Sequence, residues 1–150
     1  KARRAGTENI TAIVGAGALA EEAASLQTIF DSDIRRVRDF FEDGLRKLDK
    51  GIKIVGEKAK RIPNTTYATF ERMKSDVTMM QCDLEGICVS TGSACSSGLP
   101  KPSRALLSLG FSEAEALTGV RFSLGPSNSL EEAEKVLKVL SVALSKRKAA

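Results

Sequence analysis

Apolar positions along the chain switch between a period near 3.6 and a period of two, and the switches mark out its elements. Ile10, Ile13, Val14 and Gly17 fall at helical spacing, and Thr7 or Asn9 can cap a helix from about Ile10 to Leu26. Asp31 or Ser32 opens a second helix, with Ile34, Val37, Phe41, Leu45 and Leu48 as its apolar stripe, ended by Asp49-Lys50-Gly51. Ile52 and Ile54 alternate as a short strand. Thr65–Phe70, rich in β-branched and aromatic residues, predicts another.

Ser75 or Asp76 can cap a helix through Leu84, stopped by Gly86, and Ile87-Cys88-Val89 predicts a short strand after it. Pro102 and Ser103 introduce a short helix carrying Leu106, Leu107 and Leu109. Ser112-Glu113-Ala114-Glu115 and Ser129-Leu130-Glu131-Glu132 are capping boxes, each opening a further helix. Between them Val120, Phe122 and Leu124 alternate with Arg121 and Ser123, so Arg121 points away from the apolar face. Leu130, Ala133, Val136, Leu137, Leu140 and Leu144 form the last helical stripe. Without a regular βαβ repeat, the expected fold is α+β: a small sheet with helices packed on one face.

One stretch fits neither period. Val89-Ser90-Thr91-Gly92-Ser93-Ala94-Cys95-Ser96-Ser97-Gly98 sets a thiol among small hydroxyl residues, with a glycine three positions to either side. It reads as an exposed loop that lets a cysteine travel. Cys82 and Cys88 instead lie on elements patterned for the core and read as structural.

Hydrophobic content of 42% and charged content of 28% are ordinary for a globular domain, and no apolar run is long enough to cross a membrane. The net charge of +4 is partly in Lys146-Arg147-Lys148 and is not interleaved with aromatics, which disfavours a nucleic-acid surface. Three cysteines without a Cys-x-x-Cys pair, and no histidine, exclude the usual zinc spacings and suit a reducing, cytoplasmic setting. The chain opens on Lys1 rather than methionine, which suggests a piece of a longer protein.

Leu84–Gly98 resembles the active-cysteine segment of the NifS/IscS-type cysteine desulfurases, pyridoxal-phosphate enzymes of the class-V aminotransferase family, fold type I. Arg4-Ala5-Gly6-Thr7-Glu8-Asn9 and Val120-Arg121-Phe122-Ser123-Leu124-Gly125 resemble two flanking motifs of the same family, in the same order. The resemblance covers essentially the whole chain but only the C-terminal part of such enzymes. It implies the end of the large cofactor domain with a connecting helix over residues 1–27, and the small C-terminal domain over 28–150.

The resemblance further implies a function: conversion of L-cysteine to L-alanine and an enzyme persulfide, with sulfur passed to an acceptor or scaffold protein for iron–sulfur cluster or thio-cofactor assembly. Cys95 is then the nucleophile and persulfide carrier, Arg121 the grip on the substrate carboxylate, and Thr7 a contact to the pyridoxal phosphate of the partner subunit in a homodimer. No lysine sits in the family's Ser-x-His-Lys context, so the chain alone is expected to be inactive. Pro100 departs from the usual family pattern and would stiffen the far end of the cysteine loop. Two other readings remain at this stage: a non-catalytic sulfur-carrier module, and a selenocysteine lyase-like enzyme.

Overall fold

The computed structural model describes residues 6–91 and 101–148. Its longest feature is a helical rod in three parts: α1 (Ile10–Ile29), a π-helical turn (Phe30–Ile34) and α2 (Arg35–Leu48). Asn9, not Thr7, caps the rod, its Oδ1 accepting from the Ala12 N–H at 3.1 Å. The break expected near residue 31 does not occur. The Ser32 hydroxyl donates back to the Thr28 carbonyl at 2.9 Å, so this polar residue is absorbed into the helix rather than starting a new one.

Residues 6–23 are all exposed, including Ile10, Ile13, Val14 and Leu19. Burial begins in earnest at Ile34, and in α2 the residues Val37, Phe41 and Leu45, four apart, carry the stripe into the core.

The sheet contains β1 (Ile52–Ile54), β2 (Thr65–Phe70), β3 (Ser90–Thr91) and β4 (Gly119–Ser123), in the order β1-β2-β4-β3 with every pairing antiparallel. Register sets Ile52 opposite Phe70, Ile54 opposite Ala68, and Val120 opposite both Ala68 and Thr91. Ile52, Ile54, Ala68, Phe70, Val120 and Phe122 make one apolar face. Over it lie α2, α3 (Ser75–Leu84) and α6 (Leu130–Lys148). Phe41 meets Phe122 edge to face, with centroids 4.9 Å apart, at the centre of this core.

A smaller apolar cluster covers part of the opposite face. There Val55, Leu106 and Ala116 pack with Tyr67 and Phe111, brought in by α4 (Arg104–Ser108) and α5 (Glu113–Ala116). Both short helices are capped as the sequence indicates: Ser103 accepts from the Leu106 N–H, and Ser112 and Glu115 close a reciprocal capping box. Ser129 and Glu132 close the second box at the start of α6. For α3 the cap position falls on Lys74, whose side chain makes no capping bond, and Ser75 is already helical.

The expected strand at Ile87–Val89 lies further along, at Ser90–Thr91. Gly86, at φ +71°, turns the chain out of α3, and the next three residues are spent reaching the edge of β4. Among the described residues no helix is long and apolar enough to cross a membrane.

Candidate functional site

The sheet face bearing α4 and α5 carries Arg121. By alternation Gly119, Arg121 and Ser123 of β4 share that face with Tyr67 and Thr69 of β2 and with Ser90 of β3. Arg121 is exposed, and its register partners are Tyr67 on one side and Ser90 on the other. Among the described residues no carboxylate lies within ion-pair distance of it.

Glu115, at the start of α5, is already engaged. Glu115 receives the Lys53 ammonium at 2.7 Å and the Ser112 N–H and hydroxyl at 2.9 and 2.8 Å. The Lys53 hydrogen bond, followed by those from Ser112, lowers the Glu115 carboxyl to about 2. Lys53 is correspondingly raised, chiefly by its hydrogen bond to Glu115. The two charges satisfy each other.

The candidate site is legible at its rim. Ser90-Thr91, the start of the cysteine segment, is hydrogen-bonded into the sheet beside Arg121. Cys95 and Pro100 lie outside the described residues. Thr7 is exposed just before the Asn9 cap. No hydrogen bond or ion pair among the described residues joins it to Arg121.

The other two cysteines separate sharply. Cys82 is fully buried in the main core, and burial pushes its thiol up to about 11. Cys88 is exposed, contrary to the core position expected for it. Because the strand begins three residues later than its pattern suggests, Cys88 sits on the connection and borders a cleft of about 360 Å³ with Phe41, Ile87, Phe122 and Lys135.

The aminotransferase class-V family model matches residues 1–136. The chain belongs to the class-V aminotransferase family. Among its relatives are a cysteine desulfurase of Rhodobacter capsulatus, 37% identical over 140 residues, covering 93% of this chain and 36% of the relative. The cysteine desulfurase NifS of Azotobacter vinelandii is 32% identical over 138 residues, covering 92% of this chain and 34% of the relative. A solved structure of a NifS-like protein from Rickettsia africae superposes with a TM-score of 0.82 at 27% identity, covering 95% of this chain and 36% of that one. The chain thus spans about a third of the length of the curated relatives it matches.

Class-V aminotransferases use pyridoxal phosphate, and the described residues do not by themselves make a site for it. The sequence contains no histidine to stack on a ring. Lys53 is held by Glu115, and Lys135 donates to the Glu85 carbonyl at 3.0 Å. Thr7 and Arg121, to which the resemblance gives cofactor and substrate contacts, are both exposed.

Proposed function

We propose that the chain is the C-terminal part of a cysteine desulfurase, which takes sulfur from L-cysteine and holds it as a persulfide. The observation that carries this reading is Arg121: an exposed guanidinium without a carboxylate partner among the described residues, on the strand to which the start of the cysteine segment is paired. A guanidinium offers two parallel hydrogen bonds to a carboxylate and so fixes both position and orientation of an amino acid.

Cys95 is the nucleophile in this proposal. Its thiolate takes the sulfur of L-cysteine, a bond forms between the two sulfurs, and the substrate's carbon–sulfur bond breaks. The substrate carbon gains a proton and leaves as L-alanine, while Cys95 keeps the sulfane sulfur for an acceptor protein. Pyridoxal phosphate, held by residues outside this chain, supplies the electron sink when bound. Thr7 is assigned to the cofactor phosphate of a partner subunit, in a homodimer. Its role as helix cap is already taken by Asn9, which leaves the Thr7 hydroxyl for another use.

The boundary between the large-domain segment and the small domain is placed near Gln27. Exposure of residues 6–23 and the onset of burial at Ile34 support it. Free thiols at Cys82 and Cys88 accord with a reducing, cytoplasmic setting, and sulfur delivery to iron–sulfur cluster or thio-cofactor assembly follows from the same chemistry.

The test uses the full-length protein with L-cysteine. Alanine release, abolished by Cys95→Ser, together with a persulfide mapped to Cys95 by peptide mass spectrometry, is the expected result. Sulfane sulfur on Cys88 instead, or a Cys95→Ser protein that still makes alanine, overturns the assignment.

A further inference from the structure

Arg121 stands between unlike neighbours. On the β3 side the residue is Ser90, small and half-buried; on the β2 side it is Tyr67. The Tyr67 ring lies over Gly119, which precedes Arg121 by two positions and shares its face. A Cβ built on Gly119 would come within 2.8 Å of the Tyr67 Oη and 3.0 Å of its Cε2. Leu106 of α4 crowds the same point at 2.6 Å. The absence of a side chain at Gly119 is therefore what admits the ring.

We propose that Tyr67, seated over Gly119, is a positioning residue that walls off one side of Arg121 and directs its guanidinium toward the Ser90 and Ser123 side of the sheet. The inference rests on the reading above, in which Arg121 receives the substrate carboxylate. Side chains at paired positions on one face have Cβ atoms about 5 Å apart, so a bulky residue at 67 excludes arginine rotamers that would lean over β2. Arginine has much rotamer freedom to lose on gripping a ligand, and a wall that removes part of it beforehand tightens binding. The wall is itself braced, since Tyr67 packs against the cluster of Val55, Leu106 and Ala116. Ser123, exposed, and Ser90 leave the other side open.

Steady-state alanine release from L-cysteine by the full-length protein tests the wall. Tyr67→Leu keeps an apolar side chain for the cluster but loses the flat ring, and should raise KM roughly fivefold with kcat changed by less than about twofold. Tyr67→Phe should restore the wild-type KM. On an Arg121→Gln background, Tyr67→Leu should have no further effect on kcat/KM, because the ring acts through the arginine. Gly119→Ala, which evicts the ring while keeping the tyrosine, provides a second route to the same rise in KM should Tyr67→Leu fold poorly.

An unchanged KM in Tyr67→Leu, or an equal fold-change on the Arg121→Gln background, overturns the wall while the desulfurase reading stands. A wild-type protein that releases no alanine overturns that reading, and the wall with it.

Discussion

Arg61 reaches from the loop before β2 to the buried carboxylate of Glu42 on α2, donating from Nη1 and Nη2 to its two oxygens at 2.9 Å each. The Thr66 hydroxyl donates to the same carboxylate at 2.9 Å, so α2, the loop and β2 are pinned at one point. Arg61→Met would leave a carboxylate that is only 4% exposed without its bidentate partner. The expected cost is about 3 kcal/mol, seen as a lower urea midpoint with unchanged slope. The double replacement Glu42→Leu with Arg61→Met should recover much of that loss, since neither charge is then stranded.

A second contact between elements involves no charge. Gly44 of α2 faces Leu137 of α6, and a Cβ at Gly44 would collide with both Leu137 methyl groups. Alanine raises helix propensity by about 1 kcal/mol over glycine, but Gly44→Ala must push the Leu137 methyls aside, so its net gain in stability should fall well short of that figure. Adding Leu137→Ala should make the two changes non-additive, with coupling on the order of 1 kcal/mol in a denaturation cycle.

Alkylation distinguishes the described thiols. Cys88 should react with iodoacetamide at pH 8 in the folded protein, whereas Cys82 should react only after denaturation. Burial both shields Cys82 and raises its thiol to about 11, so very little thiolate is available. Peptide mapping before and after denaturation reads the difference. Since Cys88 is exposed, Cys88→Ala is the necessary control in any persulfide experiment.

The Lys53–Glu115 pair gives stability a defined acid limb. The folded-state value of Glu115 is about 2, below the ordinary 4.5, so the unfolded chain takes up this proton first. Its contribution is present above pH 4.5 and is lost as pH falls toward 2. Glu115→Gln should therefore flatten the stability profile between those limits, measured by urea denaturation across the range.

Arg121→Lys in the full-length protein should raise KM for L-cysteine by about ten- to a hundredfold and leave cofactor absorbance unchanged. One ammonium cannot reproduce a planar two-bond grip, and a charge-assisted hydrogen bond contributes on the order of 1.5–3 kcal/mol. Unchanged kinetics would reassign Arg121 to a structural role.

Local chemistry explains which parts of the fold the sequence reveals. β1, β2, α3 and both capping boxes are readable because β-branched runs, glycine stops and Ser-x-x-Glu spacing act within a few residues. The same holds for the outward-facing Arg121. Helix continuity through Asp31 and Ser32 is not readable, because a cap signal and a helix-interior back-bond use the same residue types. Neither is the exposure of Cys88: an apolar-looking triplet gives no register, and pairing with β4 begins only at Ser90. Tyr67 escapes notice for the same reason, since its relation to Arg121 exists only through cross-strand pairing. The phosphate contact expected of Thr7 rests on resemblance and has no local signature.

The continuous helix from Ile10 to Leu48 has two unequal arms on either side of its π turn. Its short arm, α2, is keyed to the sheet by Phe41 and Glu42; its long arm, α1, extends about 30 Å to the Asn9 cap and Thr7. A tilt of about 5° at the π turn displaces the far tip by about 2.6 Å over that length, close to a hydrogen-bond distance. A small change of angle at residues 30–34 is therefore a large change of position at Thr7, while Arg121 stays with the sheet.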